Sequence, residues 1–377
     1  CIRDVGSGGE TMEPHKLSES SLEFFKKLSE GFGPSGFEYE VLKIIKEYGA
    51  QFADDIMRDN LGSLILVKKG SSEKPRVVIA GHVDEVGFIV TGITKEGYIK
   101  FHTLGGWWDQ VLLSQRVVIK TRKGLVHGVI ASKPPHLLKE EERNKVVKRE
   151  NMFIDVGATS KEEVEKLGVR VGDPIAPWSP FMKSATGKTV MGKAFDDRLG
   201  AFVAIEAMKY IKENNIEHPN TLYVAATVQE EVGLRGASTT SYVVNPDVAL
   251  VTEVDIAGDV PGISPYEAPS SLGKGPSIIT YDASMIPNQK LKEFIISVAE
   301  EAKIPYQLSL VPRGGTDAGR FHLYLTGRPS IVIGVPTRHI HSHVSVTCIS
   351  DIENTVRLLV EVIRRLDETT VKSFTEI

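Results

Sequence analysis

Four short, uninterrupted apolar runs do most to limit what this chain can become: RVVIA at residues 76–80, TLYVAATV at 221–228, DVALVT at 247–252 and SIVIGV at 330–335. A strand with one wet face alternates apolar and polar residues. A run without alternation belongs to a strand covered on both faces, as in a parallel sheet flanked by helices. Helical spacing fills the intervals at about 198–212, 291–302 and 352–367. Near the N-terminus Leu22, Phe24, Phe25 and Leu28, then Val41, Leu42, Ile44 and Ile45, predict two helices around the turn-forming GFGPSGF at 31–37. A further strand is expected at 61–68. Strands alternating with helices predict an α/β fold built on a mostly parallel sheet.

The texture changes between residues 88 and 180. There FIVTGI, YIKFHTL, QRVVIKT and GLVHGVIA are short β-rich runs punctuated by glycine, with the charged stretch LKEEERNKVVKRE among them. A small inserted β-barrel or sandwich is expected, since 377 residues exceed what one core usually supports. The catalytic candidate is then discontinuous, 12–87 plus 181–377, around an inserted 88–180 domain. Residues 1–11, ahead of Met12, read as a disordered extension or cloning remnant outside the fold.

Charge excludes some classes of function. With 45 Lys plus Arg against 49 Asp plus Glu, the net charge of −4 gives no basic arm for nucleic acid and no polybasic anchor for a membrane. No segment approaches the roughly 18 apolar residues of a transmembrane helix. Two cysteines far apart in sequence, Cys1 and Cys348, do not make a disulfide scaffold, and a reducing, cytoplasmic location is expected.

In open α/β sheets ligands sit beyond the carboxyl ends of the strands. Beyond 76–80 come Gly81, His82, Val83, Asp84 and Glu85; beyond 221–228 come Gln229, Glu230 and Glu231; 247–252 runs into Glu253; and 330–335 leads to His339, His341 and His343. Asp196 and Asp197 stand before a helix, where the dipole favours anions. Singly each has an ordinary explanation. Asp196 suits a helix N-cap, Glu230 and Glu231 a solvated turn, and the alternating histidines a one-sided strand edge. Together they put two imidazoles and at least four carboxylates on one topological face, and that repulsion calls for a cation. Imidazole and carboxylate without thiolate suit zinc, cobalt or manganese. Two metals about 4 Å apart need some five ligands and a base. His82, Asp196, Glu231, Glu253 and His341 supply the five, Glu230 is left as the base, and Asp84 is placed to hold the other nitrogen of His82.

The motifs AGHVDEVGF, KAFDDRLGA, QEEVGLRGA, AGDVPG, RGGTDAG and RHIHS occur in the order found in metallopeptidase family 42. The resemblance runs from GPSGFE at 33–38 to the C-terminal helix and includes the inserted segment. That family holds glutamyl and tetrahedral aminopeptidases, with some members labelled cellulase M or endoglucanase. The resemblance implies a zinc-aminopeptidase-like catalytic domain. His82 would bind one metal, Asp196 would bridge, Glu231 and His341 would bind the other, and Glu230 would be general base. It also implies a cis peptide between Asp196 and Asp197, two divalent ions (zinc or cobalt, with manganese a third candidate), and short peptides as substrates. Dimerisation would run through the inserted domain, with further assembly into a tetrahedral dodecamer.

Two positions depart from the family pattern. Glu253 replaces an Asp, with Asp255 as the competing ligand, and His343-Val344-Ser345 replaces the usual Pro-x-Glu after His341-Ser342. His343 is expected to face solvent, with an extra polar group at the site as the alternative. Arg313 is expected at the surface or in an ion pair, with selection of an acidic first substrate residue as the alternative. Glycoside hydrolysis by paired carboxylates is a rival function. A non-catalytic assembly shell with a degenerate metal site is another.

Overall fold

The structure, a computed structural model, describes residues 15–377; the extension expected at 1–11 lies outside the described residues. Along the chain β1 (Asp55–Arg58), β2 (Leu64–Lys69) and β3 (Arg76–His82) come first. Next are β4 (Gly87–Ile93), β5 (Ile99–Leu104), β6 (Arg116–Thr121), β7 (Gly124–Ala131), β8 (Phe153–Asp155) and β9 (Pro174–Pro177). Then follow β10 (Met182–Lys183), β11 (Thr189–Gly192), β12 (Thr221–Thr227), β13 (Val248–Ile256), β14 (Ser277–Asp282), β15 (Gln307–Val311), β16 (Ser330–Arg338) and β17 (Ser345–Cys348).

The four apolar runs become neighbours: β12, β3, β13 and β16 lie side by side and parallel. Outside them the sheet turns antiparallel, except that β15 pairs parallel with β14. β2 and β1 extend it beyond β12, while the far edge of β16 is shared by β14 and β17, with β11 and β10 continuing from β17. The sheet is therefore mixed, with a parallel centre. Its continuous hydrophobicity has the expected cause. In β3, Val77 and Ile79 face one apolar layer while Val78 and Ala80 face the other; in β12, Leu222 and Val224 oppose Tyr223 and Ala225. Helices Glu19–Glu30, Tyr39–Gly49, Phe195–Glu213, Gln289–Glu301 and Ile349–Ile363 cover the first face, and Arg235–Val244 with Ala318–Phe321 the second.

Two glycines let helix Phe195–Glu213 sit close on the sheet. A Cβ at Gly81 would stand 2.3 Å from the Ala201 nitrogen, and one at Gly200 would stand 2.3 Å from the Thr252 oxygen. This contact sets the helix N-terminus, with Asp196, over the ends of β3 and β13. A buried charged group locks the same corner. Arg198 is fully buried and donates to the carbonyls of Leu28, Gly31, Gly33 and Val83 and to Glu85, which also accepts from Lys193 at 2.7 Å. These bonds satisfy the guanidinium and tie the 28–33 turn to β3.

β4 to β9 close an antiparallel barrel in the order β4-β5-β8-β7-β6-β9, around Phe88, Ile99, Val117, Ile119, Ile154 and Ile175. The predicted barrel strands are all present, and β8 and β9 complete it.

Candidate metal centre

Every predicted site residue lies at or near the carboxyl end of a strand or at the start of a helix, and the fold brings six of them together, with Asp84 beside them. His82 ends β3, Glu230 and Glu231 follow β12, Glu253 lies within β13, and His341 follows β16. Asp196 is at the centre. Its Oδ1 lies 3.1 Å from His82 Nε2 and its Oδ2 lies 3.1 Å from His341 Nε2. Glu230 and Glu253 reach His82 Nε2 at 3.6 and 3.8 Å, and Glu231 reaches His341 Nε2 at 3.6 Å. Three sets of donor atoms each fall within 4.8 Å of one another: His82, Asp196 and Glu253; His82, Glu230 and Glu231; Asp196, Glu231 and His341.

The outward nitrogen of each ring is engaged elsewhere. His82 Nδ1 meets the Asp84 carbonyl at 3.1 Å, and His341 Nδ1 meets the Gly106 carbonyl at 2.7 Å. Carbonyls accept, so each Nδ1 carries the hydrogen and each Nε2 turns a lone pair toward carboxylate oxygens. That arrangement is repulsive unless protons or cations stand between. Burial alone would depress the His82 imidazole, but Glu230, Glu253, Asp196 and Asp84 outweigh it and hold its pKa well above the ordinary value. For His341, Glu231 and Asp196 overcome burial and push it up to about 10. Burial and then Asp196 push Glu231 up to about 8. Burial and neighbouring carboxylates hold Glu230 and Glu253 well above their usual range. Desolvation would raise the part-buried Asp196, but the two imidazoles keep it below its usual range. The cluster thus retains protons where a divalent cation would relieve the same repulsion. Glu231 Oε1, buried and without a hydrogen-bond partner among the described residues, is a further donor free for such an ion.

The backbone around these side chains is strained. Ala194, Gln229, His339 and His341 are non-glycine residues with φ of 57°, 56°, 61° and 53°. Such conformations cost about 1–2 kcal/mol each and gather at functional sites. The Asp196–Asp197 peptide is cis. Asp197 itself lies beside Glu253 and accepts the His82 and Gly200 amides at 3.1 and 3.0 Å.

Asp84 is fully buried and supports three elements. Its Oδ1 accepts the Glu230 amide at 2.9 Å; its Oδ2 accepts the Glu231 amide at 3.1 Å and the Ser35 hydroxyl at 2.7 Å. Sequence reasoning overlooked the companion of Asp84. Glu38 Oε1 accepts the Gln229 amide at 3.0 Å, so two buried carboxylates hold three successive amides and fix the Glu230–Glu231 turn. Glu38 stands at the start of a helix and reads locally as a cap. The barrel loop at 104–108 was also overlooked. Besides the Gly106 carbonyl on His341, a Cβ at Gly105 would stand 3.2 Å from Glu231.

Two expectations at the departures resolve. Glu253, one methylene longer than Asp, reaches the cluster, whereas Asp255 belongs to none of its donor sets. The expectation of a solvent-facing His343 is wrong: the residue is 4% exposed, 5.4 Å from the Trp107 ring, because the barrel covers this loop. Arg313 is exposed, as expected. The cluster opens past the part-exposed His341 into a small cleft lined by Asp196, Ser342, Ser345, Val86 and Pro177.

A family model described as M42 glutamyl aminopeptidase matches residues 62–358. The chain belongs to that family. The match covers most of the strands that carry the cluster, and M42 enzymes are metallopeptidases, so the reaction class is hydrolysis of a peptide bond assisted by divalent metal. Among solved structures, the TET aminopeptidase from the marine sediment archaeon Thaumarchaeota archaeon SCGC AB-539-E09 is 62% identical over 95% of this chain and 99% of its own, with a TM-score of 0.93. The Pyrococcus horikoshii TET1 peptidase, which can assemble into a tetrahedron or a large octahedral shell, is 34% identical over 92% and 100%, with a TM-score of 0.82. The lysyl aminopeptidase of Pyrococcus furiosus is 33% identical over 92% of this chain and 99% of its own. A structure described as an endoglucanase from Thermotoga maritima and one described as a peptidase/endoglucanase are more distant, each at 30% identity.

Proposed function

We propose that this M42 chain removes N-terminal residues from short peptides, with His82, Asp196, Glu231, Glu253 and His341 holding two divalent ions, zinc or cobalt by preference and manganese as the third candidate, and Glu230 as general base. What supports it most is Asp196, whose two oxygens each lie 3.1 Å from the Nε2 of a different imidazole, the placement a carboxylate shared between two ions would need. Bound there, the ions would supply Lewis acidity, easing the ionisation of water and polarising the scissile carbonyl. Glu230 takes a proton from the attacking water as the oxygen–carbon bond forms, and returns it to the amine as the carbon–nitrogen bond breaks. Asp84 orients His82 and the Glu230–Glu231 turn. The high proton affinity of Glu230 suits a group that must accept and then release a proton. Acidic side chains at the cleft would hold the substrate's free α-amino group, restricting cleavage to the terminal residue.

Hydrolysis of peptides by metal-stripped protein, with zinc, cobalt or manganese added back to a panel of aminoacyl p-nitroanilides, tests the proposal. Restored cleavage with a side-chain preference supports it. Silence with every metal would favour the degenerate-shell alternative. A two-carboxylate glycosidase would survive the chelator, but here the carboxylates are interleaved with imidazoles.

We also read residues 12–87 plus 181–377 as the catalytic domain and 88–180 as an inserted module for self-association, to a dimer and then a tetrahedral dodecamer. The Pyrococcus horikoshii relative's assemblies support this. Among the described residues no helix is long and apolar enough to cross a membrane. The buried free thiol of Cys348 suits a reducing cytoplasm.

A further inference from the structure

Asp255 sits two residues beyond Glu253 on β13, is 1% exposed, and takes no part in the divalent cluster. Neither of its oxygens has a hydrogen-bond partner among the described residues. The hydroxyls of Ser277, Ser270 and Ser309 stand beside its carboxylate. The three serines arrive from separate stretches: Ser277 opens β14, Ser309 lies within β15, and Ser270 is in the loop between β13 and β14. All three are buried. Ser270 Oγ gives its hydrogen to the Ile256 carbonyl at 2.9 Å, so its lone pairs remain for another partner. Ser277 Oγ and Ser309 Oγ have no partner among the described residues. Gly334 keeps the space open, since a Cβ there would stand 2.8 Å from the Asp255 Cβ.

Unpartnered buried polar atoms are few in a native protein, and here both oxygens of one carboxylate and two hydroxyls beside it need an explanation. We propose that Asp255, Ser270, Ser277 and Ser309 bind one alkali-metal cation at a site separate from the divalent centre. The donors are all hard oxygens, which excludes soft metals. One carboxylate among neutral hydroxyls balances one positive charge, whereas all-oxygen divalent sites commonly draw on several carboxylates. A water molecule would satisfy the hydroxyls but leave the buried charge without a counter-ion, a costly state. The cation also has a structural task. β15 pairs with β14, and β14 joins the parallel centre through a short antiparallel ladder on β16. An ion held by β13, β14 and β15 at once ties that margin to the strand bearing Glu253.

The test is thermal unfolding of the full chain, saturated with its divalent ion, at constant ionic strength in sodium, potassium or choline chloride. The apparent Tm should be several degrees higher in an alkali salt than in choline, because a ligand that binds only the folded state stabilises it. Asp255→Asn should erase the difference. Should that variant fail to fold, Ser277→Ala keeps the charge and removes one donor, and the alkali concentration giving half the effect should rise about tenfold. Equal Tm in all three salts overturns the proposal and leaves Asp255 neutralised by a proton. An alkali effect that survives Asp255→Asn, or is unchanged in Ser277→Ala, also overturns it.

Discussion

Replacing Asp84 by Asn removes a charge and one of two acceptor oxygens from the most heavily used carboxylate beside the cluster. Oδ1 serves the Glu230 amide at 2.9 Å and Oδ2 the Glu231 amide at 3.1 Å and Ser35 at 2.7 Å. Asparagine has one acceptor oxygen, so in either orientation its NH2 group confronts a backbone N–H. Ser35 can rotate to adapt; an amide cannot. One amide is then orphaned at a fully buried position, at about 1–3 kcal/mol, and the remaining bonds lose their charge assistance, at about 1 kcal/mol more. A loss of about 2–4 kcal/mol in stability is expected. The Glu230–Glu231 turn and the His82 ring lose their common support, so divalent affinity should fall about 10–100-fold. Denaturant midpoints at saturating metal give the first quantity, and calorimetric titration of metal-stripped protein gives the second. Stability within about 0.5 kcal/mol of wild type together with unchanged affinity would refute the reasoning.

Glu230→Gln should retain metal stoichiometry while turnover falls about 10²–10⁴-fold; a near-normal rate sinks the base assignment. Chelation should abolish peptide cleavage and lower the apparent Tm, with both restored on adding metal back; activity untouched by a chelator would contradict the metal requirement. Burial and then Asp84 push Glu38 up to about 7 from an ordinary 4.5, so the folded state holds a proton that the unfolded chain has lost. Its stabilising share is full below pH 4.5 and is lost as pH rises through about 7, about 3 kcal/mol in all; Glu38→Gln, whose amide oxygen still accepts the Gly36 and Gln229 amides, should flatten the stability profile across that window, and a wild-type slope would count against it. Gly105→Ala puts a side chain at φ +83° and a Cβ 3.2 Å from Glu231, so metal affinity should weaken and stability drop by about 1–2 kcal/mol, measured as for Asp84→Asn.

Where sequence reasoning succeeded, the cause was local. An uninterrupted apolar run is a consequence of two-sided burial, and the polar residue reached after it, such as His82 or Glu253, lies at or near the strand's carboxyl end. Elements whose cause is distant stayed hidden. β14, β15 and β17 are short and partly polar; β14 and β17 form because β16 offers an edge, and β15 because β14 extends it. Helix Arg235–Val244, RGASTTSYVV, is rich in β-branched residues with poor helix propensity, and Ala237 and Val244 packed on the sheet override it. Glu38 lies nearly two hundred positions from the amide it holds, and its neighbours in sequence carry no trace of that partner. His343 looked polar and loop-like because the Trp107 that covers it comes from another part of the chain.

The barrel's relation to the cluster follows from the same distant contacts. If the barrel served assembly alone, its loops would stand clear of the chemistry; instead the Gly106 carbonyl selects the tautomer of His341, and Gly105 leaves room for Glu231. Three of the groups around the outer half of the cluster, Asp196, Glu231 and His341, therefore come to their geometry partly through how the barrel seats against the sheet. An ion bound by those three side chains must favour that seating by the same free energy with which the seating favours the ion, because linkage is reciprocal. His82 and Glu253 arise from β3 and β13 at the parallel centre and share that dependence only through Asp196. The two halves of the cluster should therefore differ in affinity, the half containing His341 being the one that responds to whatever the barrel binds or assembles with.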